Sequence, residues 1–585
     1  MPSAPPSVER HQVVVDPHEL SVQTERISGL PVVNAVLGRL GFDELITRYL
    51  PEPDPRCKLS SAKAIGVLVR NLALGRQPLY GLCAWAADYD AARLGLAAEE
   101  SRLLNDDRVG RALDELFLAD RASLVTALSL RAIRRFGIDV SELHNDSTSI
   151  TLYGAYRDAT GTPRGGVRPP VPERGFSKDH RGDLLQLVEI LTVSSDGAIP
   201  IAHRLVDGAT EDSTTHIETW DTLVAMLGTS RFTYVADCKL ATRDNMDHIA
   251  RNGGRFLTIL PKTRKEDELG RAWIASGAVV WQEIARRPGK RKNDPDEIYW
   301  AAEAPSCSAE GYRIVWLRSS DKRGHDAAVR TDRIERARVA LGELDQSLRS
   351  RRCRLKSKAA VEDAAGVILK ETGAARWVQA AVIDTVDYEH RQEQRGRPGE
   401  NTRYRRIERH RFSVSFATDV EAVACDAASD GCFPFVTNEE QPPAELLRIY
   451  KAQPHLERRH ATFKGVIEAA PLTLKSDARI DALGLCLYVA LLVHALVERE
   501  LRRAMAASGI ASLPLYYEDR ACAAPTAARV FELLEPLCTT AVFHAGDLLT
   551  VSPPTLDPLQ RQILSLLKVP HRAYEPARRT PGKSR

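Results

Sequence analysis

The segment "FTYVADCKLATRDNMDHIARNGGRFLTILPK" (232–262) constrains this chain most. It reads as a strand, a helix and a second strand, and its first apolar run ends on an acid, Asp237. Open α/β sheets gather their ligands at the carboxyl ends of strands, and a carboxylate displayed there is approachable by a metal ion. The question is then which other acids the fold brings to the same edge.

About ninety residues upstream, "ELHNDSTSITLYG" (142–154) alternates polar and apolar positions, with Asp146 on the same face as Thr148, Ile150 and Leu152. An acid on the buried face of a strand demands an explanation. "DLLQLVEILTVSSDGAIPIAHRLVDG" (183–208) follows as two apolar runs joined by Asp196-Gly197, a hairpin dipeptide. "DSTTHIETWDTLVAMLG" (212–228) offers Asp212, Ser213 or Thr214 as a helix cap before the strand that ends at Asp237. The expected order is strand, strand, strand, helix, strand, helix, strand.

A third acid, Glu457, lies in "AELLRIYKAQPHLERRHATFKGVIEAAPLTLKSDARI" (444–480). Tyr450, Glu457 and Lys464 are seven apart, and on one helix a seven-residue step drifts by only about 20°. Gln453 adjoins this stripe. The stripe is either a solvated helix face or a helix that brings one acid to a metal and polar groups to a phosphate backbone. Pro454 forfeits a helical hydrogen bond, so the helix kinks or starts there. Glu445 and Glu468 are the nearby competitors of Glu457.

These residues resemble the DDE transposases of bacterial insertion sequences. "HNDSTSITLYG" resembles their first-Asp motif, with "GFSKDHRGDLLQLVEIL" as the segment that follows it, and "VADCKLATRDNMDHI" resembles the second. "YKAQPHLERRHATFK" is similar to the Y-R-E-K signature, with Gln453 in place of its Arg, and Gln453-Pro454 and "PTAARVFELL" (525–534) resemble a long-insertion branch. The match runs from about residue 30 to 540. It implies a ribonuclease H-like α/β fold, a mixed sheet flanked by helices, interrupted by a long α+β insertion and preceded by a helical N-terminal domain.

The implied catalytic and metal-ligating residues are Asp146, Asp237 and Glu457, holding magnesium, or manganese in its place, as two ions. Tyr450, Gln453 and Lys464 are the implied DNA contacts. The implied activity is metal-dependent cleavage of DNA at insertion-sequence ends followed by strand transfer. A ribonuclease H-like nuclease without strand transfer, and an inactive DNA-binding derivative, are the alternatives. The implied partners are double-stranded DNA, as terminal inverted repeats and target, and a second copy of the chain on that DNA.

The expected domains are a tail (1–26), a helical DNA-binding or dimerisation domain (27–137), a first core segment (138–262), an insertion (263–430), a second core segment (431–500), and a C-terminal helical region with a basic tail (501–585). The helices of 27–137 either bind DNA, dimerise or only pack. The net charge of +3 does not mark a nucleic-acid binder. Local runs do so better, at 285–292, 349–358, 403–411 and 577–585, although charged runs are commonly solvated faces.

Ten scattered cysteines without a C-x-x-C pair suit reduced thiols, and the first residues lack a secretory pattern, so a cytoplasmic, nucleoid-associated protein is expected. His144, His180 and His203 have no zinc spacing and read as structural. The apolar window 480–503 is interrupted by Asp481 and His494 and reads as a core helix rather than a membrane span.

Overall fold

The computed structural model describes residues 20–576 except 76, 290–293, 351, 468–473, 517, 519 and 546. Glu468, residues 1–19, the run 577–585 and part of the run 285–292 therefore lie outside the described residues. The chain forms two compact units, Met1–Phe256 with Arg448–Arg585, and Leu257–Leu447.

In the first unit, β1 (Leu20–Arg26) leads into α1 (Leu30–Leu40), α2 (Phe42–Tyr49), α3 (Ser61–Leu74), α4 (Leu82–Ala87), α5 (Asp106–Leu118) and α6 (Arg121–Phe136). Ser60, Asn105 and Asp120 start α3, α5 and α6 by accepting from the amides of Lys63, Arg108 and Ser123. Gly137, at φ +61°, ends α6 and hands the chain to the sheet.

β2 (Glu142–Leu152), β3 (Leu185–Ser194) and β4 (Pro200–Val206) form an antiparallel meander, with Gly197 at φ +80° in the turn between the last two. α7 (His216–Leu227) carries the chain to β5 (Thr233–Val235), which pairs parallel with β2. The order within this unit is β4-β3-β2-β5, a mixed sheet. α8 (Arg243–Arg251) and β6 (Arg255–Ile259) complete the expected succession.

In the second unit come α9 (Lys265–Ala275), β7 (Gln282–Arg287), β8 (Glu297–Glu303), β9 (Arg313–Ser319), α10 (Ser320–Leu348), α11 (Lys358–Thr372), β10 (Val378–Gln392), β11 (Tyr404–Thr418), α12 (Val420–Ala428) and β12 (Cys432–Thr437). Its sheet runs β6-β12-β9-β8-β7 with every neighbour antiparallel. β10 and β11 form a separate ribbon whose base buries Val378 and Val414 against Ala337, Leu341 and Val361 of α10 and α11.

α13 (Pro443–Tyr450) and α14 (Gln453–Ala461) are followed by a π-helical turn, Thr462–Val466, then by α15 (Asp477–Ala507), α16 (Ala527–Leu534), β13 (Cys538–His544), β14 (Asp547–Ser552) and α17 (Pro558–Leu566). The seven-residue stripe is therefore not one helix. Tyr450 closes α13, Pro454 sits in the first turn of α14 where its missing N–H costs nothing, and Lys464 lies on the π-turn.

α15 is long and apolar enough to cross a membrane, yet its apolar window is almost wholly buried in protein. It packs against α1, α3, α5, α16, α17 and β4, so the helices of 27–137 share one core with the sheet. Each large apolar side chain buried there contributes about 1.5–3 kcal/mol. Two terminal expectations change. Leu20–Arg26 is a strand paired with β13, and the C-terminal region holds the β13–β14 hairpin as well as helices.

Candidate active site

The β2–β5 register brings the first two acids to one level. The last paired positions are His144 and Val235, and Asp146 and Asp237 each lie two residues further on. Asp237 stands in extended backbone just past β5 and accepts a hydrogen bond from the Lys239 amide at 2.9 Å. Burial pushes its carboxyl above the usual carboxylate range, and the negative charges of Asp146 and Asp212 push the same way, against Lys178.

Lys178, from the segment after the first-Asp motif, crosses to this cluster. Its Nζ lies 3.2 Å from Asp146 Oδ1 and 3.3 Å from Asp212 Oδ2, and donates to the Ser147 carbonyl at 2.5 Å and its hydroxyl at 2.9 Å. Ser147 Oγ in turn donates to Asp212 Oδ1 at 2.5 Å. Asp212 is thus not the cap of α7, whose first turn is preceded by a 3₁₀ turn over Asp212–Thr214. Its carboxylate is held by a lysine and a serine instead of backbone amides. The next residue, Asp179, receives Lys464 Nζ at 2.8 and 2.9 Å. One short segment therefore supplies a cation to the acids and an acid to the expected DNA-contacting lysine.

Tyr450 is the group that senses all three expected acids. Burial pushes its phenol well above the ordinary value, and the charges of Asp237, Asp146 and Glu457 add to the effect. It remains protonated and can donate a hydrogen bond at neutral pH. Glu457 is exposed on α14. Gln453 is buried, its Oε1 accepting from His144 Nδ1 at 2.9 Å and its Nε2 donating to the Asn145 carbonyl at 3.3 Å. The expectation of a DNA contact there gives way to an internal strut, because both ends of the amide are committed inside the protein.

The remaining histidines are structural or unexpectedly placed. His144 is buried and held by Gln453, and His180 turns its segment at φ +57°. His216 is buried beside the acids, with Nδ1 3.1 Å from the Tyr234 hydroxyl; burial lowers its imidazole to about 4, against the opposing pull of Asp212 and Asp146. His460, one turn beyond Glu457, approaches Asp146 Oδ2 at 3.9 Å.

Sequence reasoning missed Lys178, Asp212, Glu189 and His460. Glu189 carried a signal, being the one charge inside the mostly apolar run "LLQLVEILTV" (184–193).

The donor chemistry fits a hard divalent cation. The ligands on offer are all carboxylate or hydroxyl oxygens, and like charges press on Asp237 in a way that a cation would relieve. As the side chains stand, no three His, Cys, Asp or Glu among the described residues are arranged to enclose an ion. Lys178 supplies the positive charge between Asp146 and Asp212.

Several arginines of the basic runs are paired with acids of the chain. Arg286 pairs with Glu283, Arg349 with Asp345, Arg409 with Glu389 and Arg411 with Asp387. An exception is the outer end of the β10–β11 ribbon, where Arg391 lies directly opposite Arg405.

Residues 22–130 match a family model described as a domain of unknown function, DUF4277. No curated protein matches the chain. Among solved structures, a piggyBac transposase synaptic complex with hairpin DNA aligns at TM-score 0.24 and 10% identity, over 50% of this chain and 59% of that one. A Mos1 transposase paired-end complex with the left transposon end aligns at TM-score 0.13 and 13% identity, over 38% and 68%. This chain thus spans about three fifths of the piggyBac transposase chain. The functional reading rests on the chain's own residues.

Proposed function

We propose that this chain is a DDE transposase, a metal-dependent polynucleotidyl transferase that cuts DNA at insertion-sequence ends and joins the ends to target DNA. The observation that carries the reading is the β2–β5 register, which sets Asp146 and Asp237 level with each other, two residues beyond the last strand pair.

Asp146, Asp237 and Glu457 would hold magnesium or manganese, with Asp212 adjacent. Two such ions, when bound, activate the attacking water or 3′-hydroxyl and stabilise the leaving oxygen of an in-line displacement. The chain's own groups do the rest. Lys178 bridges Asp146 and Asp212 and offsets their charge. The protonated Tyr450 offers a donor to a phosphate oxygen, and Asp179 holds Lys464 within the same unit. Double-stranded DNA is the substrate, a dimer on DNA the working assembly, and the cytoplasm its compartment.

The test uses the full chain, a plasmid carrying the DNA that flanks its own gene, and Mg²⁺ or Mn²⁺. Metal-dependent cutting and joined products are expected, with cutting lost and DNA binding kept in Asp146→Asn, Asp237→Asn and Glu457→Gln. Retained cutting in any one variant removes that residue from the site. Cutting without joining of 3′-hydroxyl ends identifies a nuclease, and binding without cutting identifies an inactive derivative.

A further inference from the structure

Behind Asp146 a line of buried acids and imidazoles runs through the sheet. Glu189 lies on β3, opposite Thr148 of β2, and is fully buried. Burial pushes its carboxyl up, but the imidazoles of His203 and His460 outweigh that and hold it at about 2, so it is ionised. His460 Nδ1 stands 3.3 Å from Glu189 Oε2, and His203 Nε2 approaches Oε1 to 3.3 Å from the other side. The second contact lies within ion-pair range without hydrogen-bond geometry, since both atoms count as unpartnered for hydrogen bonding.

An ionised carboxylate in the middle of a sheet is expensive to bury, and packing alone does not explain it. A leucine at 189 would suit the strand better. His203 is fixed in turn, stacked on Tyr488 at 5.3 Å and set against Phe463 at 6.0 Å. The other end of the line is Asp146, whose Oδ2 faces His460 Nε2 at 3.9 Å, and that nitrogen is buried with no hydrogen-bond partner. His460 also rides on α14, one turn after Glu457.

We infer that His460, anchored by Glu189, is a positioning residue that sets Asp146 Oδ2 and seats the Glu457-bearing helix on the sheet at one depth. Buried Arg459 supports this seat, bonding the carbonyls of Ala198 and Gly197 at 2.9 Å and Glu498 at 2.8 Å. The two acids that come from distant parts of the chain are thereby referred to one buried carboxylate. Neither His460 nor Glu189 touches substrate.

The inference rests on the proposed metal-binding role of Asp146, and the test separates the two. Mn²⁺ alone is titrated calorimetrically into the full-length protein, into Asp146→Asn, and into His460→Ala, His460→Gln and Glu189→Gln. Hydrogen exchange of residues 453–461 is followed in parallel. Wild type is expected to bind Mn²⁺ and Asp146→Asn to lose it. His460→Ala is expected to bind at least about ten-fold more weakly, as loss of a group orienting a ligand does. His460→Gln, which can still donate to Glu189, recovers most of the affinity. Faster exchange of 453–461 is expected in His460→Ala and not in His460→Gln.

Binding by His460→Ala equal to wild type, with unchanged exchange, overturns the inference. If His460→Ala does not fold, His460→Gln and Glu189→Gln decide. Wild-type affinity in Glu189→Gln then overturns the inference, and weakened affinity there with near-normal affinity in His460→Gln supports it. A wild type that binds no Mn²⁺ through Asp146 overturns the metal-site reading instead, and the exchange experiment still reports whether His460 seats the helix.

Discussion

Acid stability offers the most quantitative check on the site, through His216. This imidazole is 3% exposed and its value falls from an ordinary 6.5 to about 4. Burial is the main cause, and Lys178 adds to it while Asp212 and Asp146 oppose. In the unfolded chain the imidazole takes a proton near 6.5, whereas in the folded protein it resists until about 4. Stability therefore falls as pH drops through this window and levels off below it. The full effect, about 2.5 pH units at about 1.36 kcal/mol each, is roughly 3.4 kcal/mol, of which about 2.4 kcal/mol is lost between pH 7 and pH 4.5. His216→Gln keeps a polar partner for Tyr234 and does not titrate. Urea denaturation of both proteins, in chelator at pH 7 and pH 4.5, cancels every other titrating group in the difference. The variant should gain on wild type by about 2.4 kcal/mol at the lower pH. An identical difference at both pH values would mean that the imidazole titrates as in water, and the placing of a neutral histidine beside these acids would be refuted.

Other outcomes follow from the same contacts. Asp237→Asn should raise the melting temperature at pH 7 while abolishing cleavage: a carboxyl displaced upward by burial and by Asp146 and Asp212 costs stability whenever it is ionised, and the gain should vanish in acid where wild type is protonated too. Arg459→Leu should destabilise the fold in denaturant titration by about 1–3 kcal/mol, because it strands the carbonyls of Ala198 and Gly197 and leaves buried Glu498 with only Arg502 at 3.4 Å and the Ala527 amide. Gln453→Leu should cost about 1–3 kcal/mol by stranding His144 Nδ1 and the Asn145 carbonyl, with the salt dependence of DNA binding unchanged. Replacing Arg391 and Arg405 together by Ala should reduce the slope of log affinity against log salt by about 1.8, and an unchanged slope would remove the ribbon's outer end from the DNA interface.

The order of strands and helices from Glu142 to Ile259 was legible because each element carries its own period, and the two aspartates were legible because each interrupts such a run. What could not be read came from contacts between segments far apart in sequence. Asp212 looks like a cap by its neighbours, but Lys178 and Ser147 claim its carboxylate. Tyr450, Glu457 and Lys464 share a seven-residue spacing that suggests one helix, and a break after Tyr450 and a π-turn after Ala461 undo it. Gln453 reads as a surface residue until the sheet behind it is known. The strand Leu20–Arg26 alternates Leu20, Val22 and Thr24 with polar residues, but the strand it pairs with is over 500 residues away and nothing nearby in sequence marks the partnership.

The two oxygens of Asp146 are served from opposite sides by cationic or imidazole groups of unlike character. Lys178 meets Oδ1 from a loop, and its ammonium is half-exposed and shared with Asp212 and Ser147. His460 meets Oδ2 from a helix, is buried, and is tied to a carboxylate with no access to water. A lysine can yield its place to another cation, because its ammonium regains water once the stem rotates away. A buried imidazole held by an ionised partner cannot. Asp146 Oδ1 also accepts from the Ser147 amide at 2.8 Å, so a cation that displaced Lys178 would leave the carboxylate tied to its own strand.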